Sequence, residues 1–438
     1  MNEELDRILI MHNDPSFDKK LKGLRKKLML AARFEGYFGK GNRAVVKILR
    51  DVAVNGYAAV RKYTKRFDKV DIPQSQFRIS DRELKKAHEA LRKKKSLLLS
   101  IRRAIKNVHR YQERIFIGGK RSAGIRYTPL ERVGIYVPGG SAPLYSTVVM
   151  TVVPAQVAGV KEIVVVSPPI YNRTIHPITL AVCCELGVRE IYKVGGSQAV
   201  AVLASRKTIR KVDKIVGPGN RWVQTAKKMV SFSYTGIEGL AGPSEVLIIA
   251  NDKANPVWVA ADMLSQAEHA PGSAVVATNS QELGKKVLDE VKKQVKQLSR
   301  SKDTTECLIK YSKIAVFNNM DNAVEFANEF AAEHLEIQCG DQSSEIAKKI
   351  ENAGAIFIGD YSPVAVGDYW AGPSHTLPTG TCARFSSGLT ANDFIKSTSI
   401  IEYDKEKLAQ CAEDIIRLAE AEGLDAHAKS IRIRGFGR

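Results

Sequence analysis

Between residues 133 and 360 the chain repeats one pattern, in which a short β-branched run ends near Gly or Pro and a helical segment follows. Strands that alternate with helices in this way favour a parallel sheet with crossover helices. A first series contains VGIYVPGG, EIVVVSPP, EIYKVGG and KIVGPGN, and a second contains SEVLIIAND, SAVVATNS, KIAVF and AGAIFIGD. The pattern predicts an α/β fold with two parallel-sheet units in tandem, joined without a low-complexity linker.

The flanks of this region are predicted to be mainly helical. In the first ~130 residues, Ser80 and Glu83 fit a capping box at the start of a helix. Apolar residues from Leu84 to Val108 recur at three- and four-residue spacing, which predicts one long helix. The last ~45 residues return to a helical pattern, interrupted by strand-like patches at STSIIEY and SIRIR.

The charge balance is strongly basic, with 67 Lys and Arg against 47 Asp and Glu, a net charge of +20. Such a surface attracts anions without selecting among phosphates, nucleic acid and acidic membranes. Five basic residues fall largely off the apolar stripe of the long helix: Lys93, Lys94, Lys95, Arg102 and Arg103. A solvated helix face is the preferred interpretation, and a nucleic-acid surface is the alternative. No aromatic side chains interleave them to stack on bases, which weakens that alternative.

Compartment and membrane signals are few. The N-terminal segment MNEELDRILIMHND has early acids and no long apolar run, so we expect no secretory signal. No stretch of about 18 apolar residues predicts a membrane span. The six cysteines show no CxxC spacing, which indicates a reducing cytoplasm without a disulfide framework.

Four of the eight histidines lie in the last ~170 residues: His269, His334, His375 and His427. Each has a carboxylate or carboxamide within a few positions. Imidazole either binds a transition metal or moves protons near neutral pH. The distribution predicts one metal-assisted proton-transfer site built from distant segments.

Four of these side chains form a candidate metal set. Gln266 and His269 lie three residues apart near a helix end, Asp368 lies in a Gly-rich loop after a strand, and His427 lies in a C-terminal helix, five residues after Glu422. Taken singly, each is better explained by a structural role. Together, two imidazole nitrogens and two oxygen donors suit zinc or a similar first-row ion.

Glu333 and His334 are candidate acid/base groups, adjacent on a predicted helix or at its end. Neighbouring side chains point in different directions, so they can serve two proton transfers on different atoms of one substrate. Helix termination with a solvent-exposed acid is the alternative.

Small and amide residues follow three strand ends, in VPGGSAPLYS, VGGSQAV and VGPGNRW. Such ends can receive a dinucleotide, although none matches the GxGxxG fingerprint.

The chain as a whole resembles the histidinol dehydrogenase family across roughly residues 30 to 430. The resemblance is carried by ERVGIYVPGGSAPLYSTVVM, KIVGPGNRWVQTAK, AGPSEVLIIA, AADMLSQAEHAPGS, AAEHLE, GDYWAGPSHTLPTG and AEGLDAHAKS. It implies a zinc enzyme that oxidises L-histidinol through L-histidinal to L-histidine and reduces two NAD⁺ in succession, the last two steps of histidine biosynthesis. It further implies an intertwined homodimer in which the C-terminal segment of one subunit completes the site of the other.

The resemblance also implies a role for particular residues. The zinc ligands would be Gln266, His269, Asp368 and His427, and the acid/base pair Glu333 and His334. Substrate contacts would come from Ser244 and Glu422, together with His334 and the four zinc ligands. NAD contacts would come from Tyr136, Gln198 and Asn220. His375 occupies a position near the substrate.

The implied domains are Rossmann-like. A helical segment spans 1–31, a first α/β domain with the metal and acid/base residues spans 32–135 and 244–389, an NAD-binding α/β domain spans 136–243, and segments in 390–438 complete the partner's site. Departures from the family pattern are Ser197, where Ala is expected, and the run TGTCARF. Neither includes a proposed ligand.

Three other functions remain open from the sequence. The first is a related zinc/NAD dehydrogenase that acts on another small alcohol. The second is a zinc hydrolase that needs no NAD, and the third is a nucleic-acid-binding protein that uses the basic N-terminal helix. Under the interpretation as a histidinol dehydrogenase, we expect neither a membrane nor a specific nucleic acid as a partner.

Overall fold

The computed structural model describes residues 2–32, 40–119, 124–139, 143–231, 233–269 and 271–436. The chain divides into two compact units. Unit 1 consists of Met1–Gly118 and Pro129–Ile395, and unit 2 of Gly119–Thr128 and Lys396–Arg438.

Helices account for most of the regular structure in the described ranges. They are α1 (Asn2–Asp6), α2 (Phe17–Ala32), α3 (Lys40–Asn55), α4 (Tyr57–Phe67), α5 (Asp81–Arg92), α6 (Lys95–Ile115), α7 (Tyr145–Val157), α8 (Pro177–Glu185), α9 (Gly196–Ala204), α10 (Arg221–Val230), α11 (Pro256–Ala267), α12 (Gln281–Gln294), α13 (Ser301–Tyr311), α14 (Met320–Phe330), α15 (Ser343–Lys348), α16 (Val364–Tyr369), α17 (Lys405–Ala421) and α18 (Asp425–Arg432).

The strands are β1 (Leu9–Met11), β2 (Ile125–Pro129), β3 (Arg132–Tyr136), β4 (Glu162–Ser167), β5 (Glu190–Lys193), β6 (Lys214–Val216), β7 (Gly236–Ile237), β8 (Ser244–Ala250), β9 (Gly272–Thr278), β10 (Lys313–Val316), β11 (His334–Gln338), β12 (Ala355–Ile358) and β13 (Ile395–Ser399).

Unit 1 contains two parallel sheets. The five-stranded sheet has the order β5-β4-β3-β6-β7, and the six-stranded sheet has the order β1-β10-β9-β8-β11-β12. The pairings within both are parallel. In the five-stranded sheet the chain starts at the central strand β3, moves outward to β5, and then returns to the other side with β6 and β7. The six-stranded sheet receives β1 at one edge; its remaining strands start at the central β8, run outward to β10, and return to the other side with β11 and β12. The strand order therefore reverses next to β3 and next to β8. The predicted α/β fold with parallel sheets is confirmed.

Both sheets are buried on their two faces. Along β8, Val246 and Ile248 join one apolar cluster, while Leu247 and Ile249 join another on the opposite face. The five-stranded sheet likewise separates two apolar clusters. Successive strand residues point to opposite faces, so two covered faces require the nearly continuous apolar runs seen in the sequence.

Unit 2 contains α17 and α18. Ile416 and Ala419 of α17 pack with Ala428 of α18, while Ile431 lies against them. The prediction of a strand at SIRIR was wrong, because Ile431 packs at helical spacing from Ala428. The patch at STSIIEY is partly a strand, since β13 ends at Ser399.

Two predictions about the N-terminal region are resolved. The capping box is confirmed, since Ser80 Oγ accepts from the Glu83 amide and Glu83 accepts from the Ser80 amide. The prediction of a single long helix was wrong, because the helix is interrupted between α5 and α6. Lys94, with φ −96° and ψ 67°, leaves the helical region there. None of the helices in the described ranges is long and apolar enough to cross a membrane.

Gly217, just after β6, occupies a position that excludes any side chain. Its φ is +115°, and a Cβ there would lie 2.1 Å from the Tyr136 carbonyl oxygen. We expect Gly217→Ala to destabilise the protein by on the order of 3 kcal/mol, because it adds a clash to a strained backbone. Thermal unfolding measures the effect. Gly23→Ala in α2 is the matched control, because no atom lies within 4 Å of its added Cβ; it should stabilise the protein by about 0.5–1 kcal/mol. Equal Tm values for the two variants would contradict this account.

Candidate active site

The acid/base candidates and the substrate-contact candidate Ser244 lie at the amino ends of two neighbouring strands. His334 opens β11, directly after Glu333, and Ser244 opens β8. Of the two predicted positions for this pair, on a helix or at its end, the structure has the second: α14 ends at Phe330, and Ala331, whose φ is +50°, caps it just before Glu333. Ligands of parallel sheets usually bind at the carboxyl ends. This cluster therefore occupies the opposite edge of the six-stranded sheet.

His334 is held in one orientation. It is 4% exposed, and its Nδ1 lies 3.0 Å from the carbonyl oxygen of Glu245. A carbonyl oxygen only accepts, so Nδ1 carries the hydrogen and donates it. The buried Nε2 has no hydrogen-bond partner in the described structure. In the neutral ring, Nε2 is therefore the nitrogen available to accept a proton.

Glu333 lies beside this imidazole. Its Oε2 accepts from the Glu245 amide at 2.8 Å and lies 3.5 Å from His334 Nδ1. Both residues are buried, 5% exposed for Glu333 and 4% for His334. The alternative interpretation, in which Glu333 is a solvent-exposed acid, was therefore wrong.

Asp368 is the second carboxylate near His334. It lies in the short helix α16, not in a loop, and its Oδ1 is 3.7 Å from His334 Nε2. Burial would raise the pKa of Asp368, but His334, His375 and His269 together hold it below its usual value. Burial also opposes the charged form of His334, but Glu333 and Asp368 outweigh it and raise the pKa of His334 to about 10.

Gln266 lies in the last turn of α11, the helix that precedes β9, and His269 lies just beyond the end of this helix. Gln266 is 2% exposed, and its Oε1 is buried without a partner in the described structure. His269 follows the helix and is exposed. Because crossover helices run antiparallel to the strands, the end of α11 returns to the amino edge of the sheet, where Ser244 pairs with Gly272.

His375 joins this cluster from the loop after α16. Its Nε2 lies 3.3 Å from Thr147 Oγ1. Burial lowers its pKa, against the opposing effect of Asp368 and Glu333. The structure thus brings His334, His375 and His269 close enough to Asp368 to influence its pKa, and Glu333 close enough to influence the pKa of His334 and His375.

Glu422 and His427 belong to unit 2. Glu422 caps the end of α17, His427 lies in α18, and both are exposed. Across the described residues, no three His, Cys, Asp or Glu side chains are arranged to hold a metal ion. Within unit 1, the predicted metal set consists of the Asp368 carboxylate, the His269 imidazole and the Gln266 amide.

The three nucleotide candidates follow strand ends of the five-stranded sheet. Tyr136 ends β3, and its hydroxyl accepts from the Gly196 amide at 3.1 Å. Gln198, 1% exposed, has both amide atoms without a partner in the described structure. Asn220 caps α10 by accepting from the Trp222 and Val223 amides. Part of VPGGSAPLYS, residues 140–142, lies outside the described residues.

The sequence interpretation missed two buried glutamates and a half-buried aspartate near the candidate residues. Glu245 follows Ser244 on β8, and Asp262 and Glu336 face each other from α11 and β11. Gln338 Nε2 donates to both Asp262 Oδ2 (2.7 Å) and Glu336 Oε2 (3.2 Å). The sequence did contain a signal for the two glutamates, because each lies inside an apolar run, SEVLIIA or HLEIQ. An acid is rarely fully buried without a partner, so a glutamate in such a run indicates a specific contact.

Glu336 gives a pH-dependent prediction. Burial and the neighbouring Asp262 raise the pKa of Glu336 to about 8. The folded state therefore binds this proton more tightly than the unfolded state, and stability falls as pH rises towards 8. We expect Glu336→Gln to match the wild type near pH 5 and to exceed it near pH 9, by at most about 5 kcal/mol. Thermal unfolding across this range tests it, with exposed Glu282→Gln as the control. Parallel Tm curves for wild type and Glu336→Gln would contradict it.

Comparison with known proteins identifies the family. The family model described as histidinol dehydrogenase matches residues 35–435. Histidinol dehydrogenase of Heliobacterium mobile is 44% identical over 398 residues, which cover 89% of this chain and 92% of the relative. Histidinol dehydrogenase of Geobacillus kaustophilus is 42% identical over 428 residues, 95% and 99% of the two chains.

The fold agrees with these sequence matches. The crystal structure of histidinol dehydrogenase from Elizabethkingia anophelis superposes with a TM-score of 0.86 at 32% identity and covers 97% of each chain. The resemblance inferred from the motifs is confirmed, and the chain belongs to the histidinol dehydrogenase family.

Proposed function

We propose that this protein oxidises L-histidinol through L-histidinal to L-histidine, with zinc and two successive NAD⁺. Family membership supports an oxidoreductase that acts on a CH-OH group. The observation that carries the site assignment is the buried pair Glu333 and His334. Both side chains are hydrogen-bonded to the main chain of Glu245, and His334 lies beside Asp368.

The donor set of unit 1 fits a zinc ion. Gln266 presents a buried amide oxygen without a partner in the described structure, an unfavourable state that a cation would relieve. Asp368 favours its charged form, and His269 exposes its ring. We assign zinc to Gln266, His269, Asp368 and His427. When bound, zinc would orient the imidazole and amine of the substrate more than polarise its alcohol.

The nucleotide assignment is Tyr136, Gln198 and Asn220. Gln198 has a buried amide with both atoms free of partners in the described structure, which suits a polar ligand that can both donate and accept. NAD⁺, when bound, takes up the hydride released in each oxidation.

The chain's own residues would move the protons. His334 Nε2 accepts the hydroxyl proton of histidinol in the first oxidation, because Nδ1 already donates to Glu245. A cation held by Asp368 would neutralise one of the carboxylates that favour the charged ring, and so favour the neutral base. In the second oxidation Glu333 takes a proton from water, which adds to the aldehyde. Retention of histidinal in the site between the two oxidations would protect the reactive aldehyde from side reactions.

Ser244 and Glu422 complete the proposed substrate contacts, with His334 and the zinc ligands. We further propose two Rossmann-like domains, one built around each parallel sheet, and a cytoplasmic location. An intertwined homodimer would let Glu422 and His427 serve the partner's site from the 390–438 segment. Exposed apolar side chains in unit 2, such as Ile401, Leu418 and Ile433, would suit such an interface.

Substrate choice is the part of this proposal that most needs a test. NADH formation should be measured with L-histidinol and with simple diols at equal concentrations. Rapid turnover of histidinol and none of the diols is expected. Preference for another alcohol would instead indicate a related dehydrogenase.

A further inference from the structure

We propose that Glu245 is a positioning residue for the acid/base pair: its main chain fixes Glu333 and His334, and its carboxyl group fixes that main chain through Gly380. The inference rests on the proposed function, in which Glu333 and His334 carry the proton transfers.

The main chain of Glu245 contacts both groups. Its N–H donates to Glu333 Oε2 at 2.8 Å, and its carbonyl oxygen accepts from His334 Nδ1 at 3.0 Å. Glu333 and His334 are consecutive, so nothing in their own backbone makes their side chains converge. A single residue of the neighbouring strand therefore sets their separation and selects the tautomer of the imidazole.

The side chain of Glu245 anchors this residue from the other direction. Its Oε1 accepts from the Gly380 amide at 3.1 Å, within the loop that follows His375. The same loop is joined to the approach to β8 a second time, since Thr379 Oγ1 accepts from the Gly242 amide at 2.7 Å. Loss of the Glu245 contact would leave a buried amide unpaired and free the start of β8 to shift.

The carboxyl group serves here as a neutral acceptor. Glu245 is 5% exposed, and burial together with the charge of Glu333 raises its pKa to about 8. Near neutral pH it therefore holds a proton, while Oε1 accepts from Gly380. Such a role needs the length of the side chain and one acceptor oxygen, and it does not need charge. Glutamine meets both needs, whereas aspartate keeps the acid and loses the reach.

The test compares Glu245→Gln with Glu245→Asp. We expect the Gln variant to stay within about threefold of the wild type in both oxidations. The Asp variant should lose about tenfold or more in kcat for both, because small misplacements of reacting groups are costly. NAD⁺ affinity, measured by direct binding, should stay unchanged in both variants. Leu247→Ala, on the same face of β8, is a control that should lower Tm without lowering kcat.

The opposite ranking, with Asp active and Gln impaired, would show that Glu245 carries a proton, and it would overturn the positioning role. Wild-type kcat in the Asp variant would overturn it as well. If the wild-type protein fails to oxidise histidinol, the proposed function is refuted. The positioning role of Glu245 is then tested separately, by comparing crystal structures of the wild type and Glu245→Asp. Displacement of the Glu333 carboxylate or the His334 ring in Glu245→Asp supports it, and unmoved side chains overturn it.

Discussion

Glu333→Gln should separate the two oxidations. We expect histidinal oxidation to fall by at least about 100-fold, because glutamine cannot take a proton from the attacking water. Histidinol oxidation to histidinal should stay within about tenfold, since His334 serves that step and glutamine can still accept from the Glu245 amide. Single-turnover NADH formation from histidinol and steady-state turnover of supplied histidinal measure the two steps.

The matched control for this variant is Glu325→Gln, which makes the same charge change on the exposed face of α14. It should leave both oxidations unchanged. Equal losses in the two oxidations of Glu333→Gln would count against the division of roles between Glu333 and His334.

His269→Asn should abolish zinc retention and turnover together. Changes next to a metal ligand already weaken binding by about 10–100-fold, so loss of a ligand should exceed that range. Metal analysis after dialysis measures retention, and NADH formation with added zinc measures recovery. Glu268→Gln, at the neighbouring exposed position, should retain the metal and the activity. A His269→Asn protein that keeps both would remove His269 from the ligand set.

The fold was predictable where the sequence pattern is periodic. The strand-like runs from VGIYVPGG to AGAIFIGD all contain strands, because both faces of each sheet are covered and apolar residues fill them. Strand β11 was missed, since HLEIQ contains an acid and follows an apolar helix. The break at Lys94 was also missed, because the apolar stripe continues across it.

The sequence identified candidate residues for the site, but it did not predict the contacts between them. In unit 1, His334, His375 and His269 together lower the pKa of Asp368, whereas His427, which was predicted with them, belongs to unit 2. The roles of Glu245 and of the Asp262–Glu336 pair depend on contacts between residues 74 to 135 positions apart, which no local pattern encodes. The position of the cluster at the amino edge of the sheet depends equally on topology.

The most direct test of the central claim combines metal analysis with product stoichiometry on one purified sample. The proposed function predicts one zinc ion per subunit, and two NADH formed for each L-histidinol converted to L-histidine. One NADH per histidinol with free histidinal released, or full turnover in protein stripped of zinc, would contradict it.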